Sequence, residues 1–93
     1  MLAKVKLALR ITTTAFDTEI LDLIDAAIAD LGLAGVKIPS KADPLIVRAV
    51  TTYCKLYFGE AEHPELLKAA YDEQKAQLMT ATGYTDWGGH RNE

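Results

Sequence analysis

Cysteine and tryptophan occur once each in the 93 residues, and histidine only twice; each scarcity closes off a class of protein. A single thiol, Cys54, rules out an intrachain disulfide and is compatible with a reducing compartment. It falls four residues after Val50 on an apolar helical spacing, where a free cysteine behaves as a small hydrophobe. Neither His63 nor His90 can be set beside it as an activating base from the sequence. The histidines share no spacing with other ligand types, so a zinc or catalytic site has no support. No P-loop, GxGxxG, CxxC or GxSxG pattern occurs, and Gly88-Gly89 is too short to cradle a phosphate. No cofactor and no enzymatic activity are expected. Long apolar runs are missing as well: nothing approaches the ~20 residues needed to span a bilayer, so a soluble chain is expected, with no membrane partner. Met1 to Ile11 is apolar enough to suggest a signal peptide, but Lys4, Lys6 and Arg10 interrupt it. That segment is expected to belong to the fold.

What remains is an ordinary globular composition, 49% apolar and 25% charged, at a length that holds one domain and one core. The net charge of −3 argues against a duplex-binding protein, because non-specific DNA affinity comes from clustered Lys and Arg neutralising phosphates. The nearest thing to a basic patch, Lys4, Lys6 and Arg10, reads as a solvated helix face.

Periodicity divides the chain into helices. Leu2, Val5 and Leu9 predict a short N-terminal amphipathic helix ending near Thr12. Thr14 followed by Asp17 resembles a capping box with a shorter acid. The next helix carries Phe16, Ile20, Leu23, Ile24, Ala27, Ile28 and Leu31 on one stripe, with Asp17 and Glu19 favourably placed in its first turn and Gly32 as its stop. A connector from Leu33 to Lys41 follows, with an extended piece at Val36 to Ile38. Asp43-Pro44 is a helix start with a mechanism: the aspartate caps, and proline at the first helical position gives up an amide that would have had no partner. This third helix runs to about Phe58, before Gly59. Its stripe of Ile46, Ala49, Val50, Tyr53, Cys54 and Tyr57, flanked by Leu45, Leu56 and Phe58, is wide enough to predict burial on more than one side. His63-Pro64 opens a fourth helix with Leu67, Tyr71, Gln74 and Leu78 on one face, fading near Thr80 to Gly83. The expected fold is therefore all-α: a small bundle of three main helices plus a short N-terminal helix over residues 1–83, and an extended C-terminal tail over 84–93.

Two features compete for function. Asp22 and Asp25, with Glu19 and Asp30 nearby, put carboxylates on the polar face of the second helix; paired acids can do acid–base work or hold a cation. No Glu-x-x-His or loop motif accompanies them, so a solvated face is the better reading. The aperiodic tail carries Tyr84, Trp87 and Arg91, residue types over-represented among binding hot spots. They either fold back on their own domain or anchor to a partner. A helix-turn-helix is disfavoured because the linker between the second and third helices is too long and the would-be reader helix carries only Arg48 and Lys55.

The stretches Leu9-Arg10-Ile11, Phe16-Asp17-Thr18-Glu19-Ile20 leading to Leu23-Ile24-Asp25-Ala26-Ala27, Asp43-Pro44-Leu45-Ile46, and Tyr53-Cys54-Lys55 with Phe58-Gly59 together resemble the tailed-phage head-to-tail connector family, from Met1 to about Thr85. The resemblance implies a structural adaptor that forms a ring under the portal protein, completes the DNA-filled head and offers a platform for the next neck or tail protein. It further implies a virion neck component assembled in the host bacterial cytoplasm, with DNA passing through without specific binding. A ring built head to tail needs two different surfaces per subunit. Leu45, Leu56 and Phe58 are the expected ring interface, Tyr84, Trp87 and Arg91 the partner-binding residues, and Asp22 and Asp25 the channel-facing acids, which would repel phosphate. The alternative is a small helical regulatory module that binds DNA or a bacterial protein. Sedimentation separates the two: rings without DNA affinity for a connector, a dimer with salt-sensitive DNA binding for a regulator.

Overall fold

The computed structural model describes residues 1–38, 40, 42–59 and 61–81. Four helices follow one another: α1 (Leu2–Leu9), α2 (Asp17–Leu33), α3 (Pro44–Tyr57) and α4 (Pro64–Thr80). No strand forms among the described residues, so the fold is the all-α bundle that the periodicity predicts. Helix α3 is its axis, packing against each of the other three, while α1 also rests on α2.

The apolar stripes account for that arrangement. Ile20, Ile24, Ala27 and Leu31 of α2 are all buried, at three- and four-residue spacings that bring them onto one face of a helix. They meet Ile46, Ala49, Val50 and Cys54 of α3 and Val5 of α1 in one continuous core, which Tyr71 and Leu78 of α4 complete. Val47 and Thr52 are buried on the flanks of the α3 stripe, so this helix is enclosed on more than one side, as the width of its stripe predicts.

The starts of α3 and α4 fall at the expected prolines, Pro44 and Pro64, while the start of α2 departs from the expectation. Asp43 caps α3 through its side chain, accepting from the amides of Leu45 at 2.9 Å and Ile46 at 3.4 Å, and Pro44 takes the first helical position. The capping box expected at Thr14 and Asp17 is not formed. Helix α2 starts at Asp17, with Phe16 as a cap residue that supplies no side-chain bond. Residues 14–17 instead make a turn in which the Asp17 amide donates to the Thr14 carbonyl at 3.2 Å. The Asp17 carboxylate faces α1, where Lys6 Nζ stands 2.6 Å from Oδ1, an ion pair whose geometry lies outside that of a directed hydrogen bond.

The ends of α1 and α2 also differ from those expected. Helix α1 stops at Leu9, short of Thr12, because Arg10 turns left-handed at φ 61. The Ile11 amide then reaches the Lys6 carbonyl at 3.0 Å and the Arg10 amide the Leu7 carbonyl at 3.1 Å, the paired closure of a Schellman end. In α2 the left-handed residue is Gly35, at φ 90, and Gly32 remains inside the helix. The same pair of bonds recurs, Val36 to Leu31 at 2.9 Å and Gly35 to Gly32 at 3.0 Å. Leu31 and Val36 are both buried, so the apolar contact that accompanies such an end fixes where it falls. Val36 forms one isolated bridge and the extended piece goes no further.

Candidate interaction surfaces

A folded helix exposes some apolar side chains in any protein, so the informative question is which ones lie together and beside what. Leu45, on the first turn of α3, is 48% exposed. It borders a cleft of about 80 Å³ between the start of α3 and the end of α4, lined by Leu45, Arg48, Gln74, Gln77, Leu78 and Ala81. Leu56 is half-buried, and so is Phe58. The Phe58 ring meets Phe16 edge-on, with centroids 5.6 Å apart, so part of its area already joins the end of α3 to the start of α2. The three candidate ring-interface residues thus do not form one patch of equal exposure: Leu45 presents the most free surface, and Phe58 serves the subunit's own packing.

Asp22 and Asp25 are exposed on α2, opposite its buried stripe, and neither enters an ion pair with another described residue. Among the described residues no three His, Cys, Asp or Glu side chains converge as metal ligands would. Cys54 is buried in the core, and loss of solvation pushes its thiol up to about 11. Tyr84, Trp87 and Arg91 lie outside the described residues.

Sequence reasoning grouped Asp30 with the other acids, whereas the fold gives it a separate task. The Tyr71 hydroxyl donates to Asp30 Oδ2 at 2.5 Å, and Lys75 Nζ donates to the same oxygen at 3.2 Å. One carboxylate thereby ties α2 to α4. The Tyr71 hydrogen bond, outweighing partial burial, holds the Asp30 carboxyl below its ordinary value, with Lys75 adding to the effect. Burial and the neighbouring carboxylate drive the Tyr71 hydroxyl far upward, so it stays a donor throughout the neutral range. Tyr53 of α3 meets the Tyr71 ring at 5.3 Å, and Lys75 lies 5.3 Å from that ring's centre. A signal was present in the sequence: Tyr71 and Lys75 are one helical turn apart and share a face. Their partner, 41 residues from Tyr71, was not deducible from spacing.

The fold and these surfaces define an all-helical packing module, whose largest polar investment joins two of its own helices. The chain belongs to the phage connector protein family, whose model matches residues 1–85. Neither a curated protein nor a solved structure matches it. The family is structural rather than enzymatic, and membership makes this chain a virion component that interacts with other phage head or tail proteins. No described helix is long and apolar enough to cross a membrane.

Proposed function

We propose that the protein is a head-to-tail connector that assembles as a ring beneath the portal protein, completes the DNA-filled head and carries the next neck or tail protein. The observation that bears most weight is the family match across residues 1–85, which spans all four helices. The subunit works by packing. Its helices make a rigid block, and Leu45, Leu56 and Phe58 contribute to the face that the adjacent subunit covers. A ring of this kind closes only if the rotation from copy to copy divides the circle. Asp22 and Asp25, exposed and without an ion pair to another described residue, face the channel, where their charge repels the passing phosphates. DNA traverses the neck without specific binding.

Residues 1–83 form the helical domain and 84–93 the tail that docks, by a segment giving up its freedom on binding. Deleting the residues after Gly83 is expected to leave helical circular dichroism intact and to abolish attachment to heads. Truncated protein that completes heads normally would remove the tail from the mechanism. Reversing both acids to lysine (Asp22→Lys with Asp25→Lys) is expected to impair DNA retention or ejection, and unchanged behaviour counts against the channel assignment. Sedimentation that shows a dimer with salt-sensitive DNA binding would replace the connector reading with a regulatory one.

A further inference from the structure

The ends of the helices differ in a way that bears on assembly. Helices α1 and α2 finish on left-handed residues, Arg10 and Gly35, that reverse the chain back onto the core. Helix α4 finishes on Ala81, which is extended at φ −79 and ψ 132 and stands on the rim of the cleft beneath Leu45. Ala81, the last described residue, thus stands at the cleft's edge.

The cleft itself is incomplete in two respects. Its walls are mainly apolar, from Leu45, Leu78 and Ala81. Arg48, exposed on one side, has no ion pair with any described residue. An occupant that satisfies both has an apolar body and a carboxylate in close succession. The tail offers that set at adjacent positions, Asp86 and Trp87. The indole of Trp87 has a broad apolar face. Its ring packs against leucine and also stacks on a guanidinium, while the preceding carboxylate pairs with that same cation.

We infer that this cleft is the receptor for Asp86 and Trp87 of an adjacent copy of the chain, with Trp87 between Leu45 and Leu78 and Asp86 against Arg48. The contact is heterologous, cleft on one copy and tail on the next, as a ring requires. Trp87 lies six positions beyond Ala81, a reach of at most about 20 Å when extended, enough to pass from the rim of one subunit to a neighbour in contact with it. The inference rests on the ring reading and assigns its contact.

Trp87 is the single tryptophan, so fluorescence of the full chain reads its burial without a label. Emission is expected to shift to the blue as concentration rises and sedimentation shows assembly. Leu45→Asp and Arg48→Glu, both at exposed positions, are each expected to keep helical content, leave the emission red and raise the concentration needed for assembly about tenfold or more. Mixing Arg48→Glu copies, which have an intact tail, with Trp87→Phe copies, which have an intact cleft, should restore the blue shift. Blue emission that is independent of concentration would mean the tail folds onto its own subunit, and overturns the exchange. Red emission in assembled rings, or a chain that stays monomeric with red emission at every concentration, overturns it as well. Attachment to heads, scored separately, tells failure of this contact from failure of the connector reading: rings that form and attach normally with Trp87 exposed sink the first and leave the second.

Discussion

Helices α3 and α4 have similar lengths and are held in opposite ways. Of the fourteen residues of α3, six are buried, and the helix touches all three others. Of the seventeen in α4, only Tyr71 and Leu78 are buried. The first is fixed by non-directional apolar burial, at roughly 1.5–3 kcal/mol for each large side chain removed from water. The second has too few such contacts to be fixed the same way and adds a directed device, the Asp30 carboxylate with Tyr71 and Lys75. An element held by two buried side chains and a polar tie opens more readily than one enclosed on several sides. It is also the helix that precedes residues 82–93 in the chain.

The largest effect expected is in α3. Ile46→Ala, at a fully buried position, should destabilise the whole domain by about 2–5 kcal/mol through lost transfer energy and the cavity left behind, measured as a lower urea midpoint. An effect below 1 kcal/mol would show that α3 is not the keel. In α4, Tyr71→Phe removes the donor to Asp30. Hydrogen bonds to charged groups are worth about 1.5–3 kcal/mol when shielded, but the Asp30 side chain is 38% exposed, so about 1 kcal/mol is expected. Hydrogen exchange should speed up in α4 while α2 and α3 hardly change; uniform acceleration would mean the two helices open as one unit and would dissolve the contrast.

The smallest effect is the dependence of the tie on pH. Asp30 has its folded value depressed below the ordinary 3.8 by the Tyr71 hydroxyl first, then Lys75 and the more distant Lys68; Tyr53 of α3 also feels its charge. A depressed carboxyl contributes stability that is fully present above its unfolded value and is lost as pH falls through the folded one. The stability gap between the native chain and Asp30→Asn should therefore be constant near neutrality and shrink below about pH 4. A gap that instead narrows between pH 6 and 8 would assign the tie to another group.

Much of α3 was legible in advance because its determinants are local: Asp43 with Pro44 marks the start, and Ile46, Ala49, Val50 and Cys54 repeat at helical spacing. The stop of α2 was misplaced by local reasoning for a definite cause. Gly32 and Gly35 are equally permissive as residues, and the choice between them is made by Val36 burying beside Leu31. Likewise Thr14 and Asp17 have the spacing of a cap, yet Asp17 is drawn to Lys6 on another helix. The cleft under Leu45 had no sequence signal, since its walls come from the first turn of α3 and the last turns of α4.

By itself, the sequence determined the helices, their buried faces and the absence of any catalytic motif, because periodicity and capping act over a few residues along the chain. Only the tertiary structure decided that Asp30 is a tie rather than one of a row of surface acids, and that Arg48, Gln74 and Leu78 share a cleft with Ala81 at its rim. Those facts depend on which helix faces meet, a matter settled by burial among residues far apart in the chain.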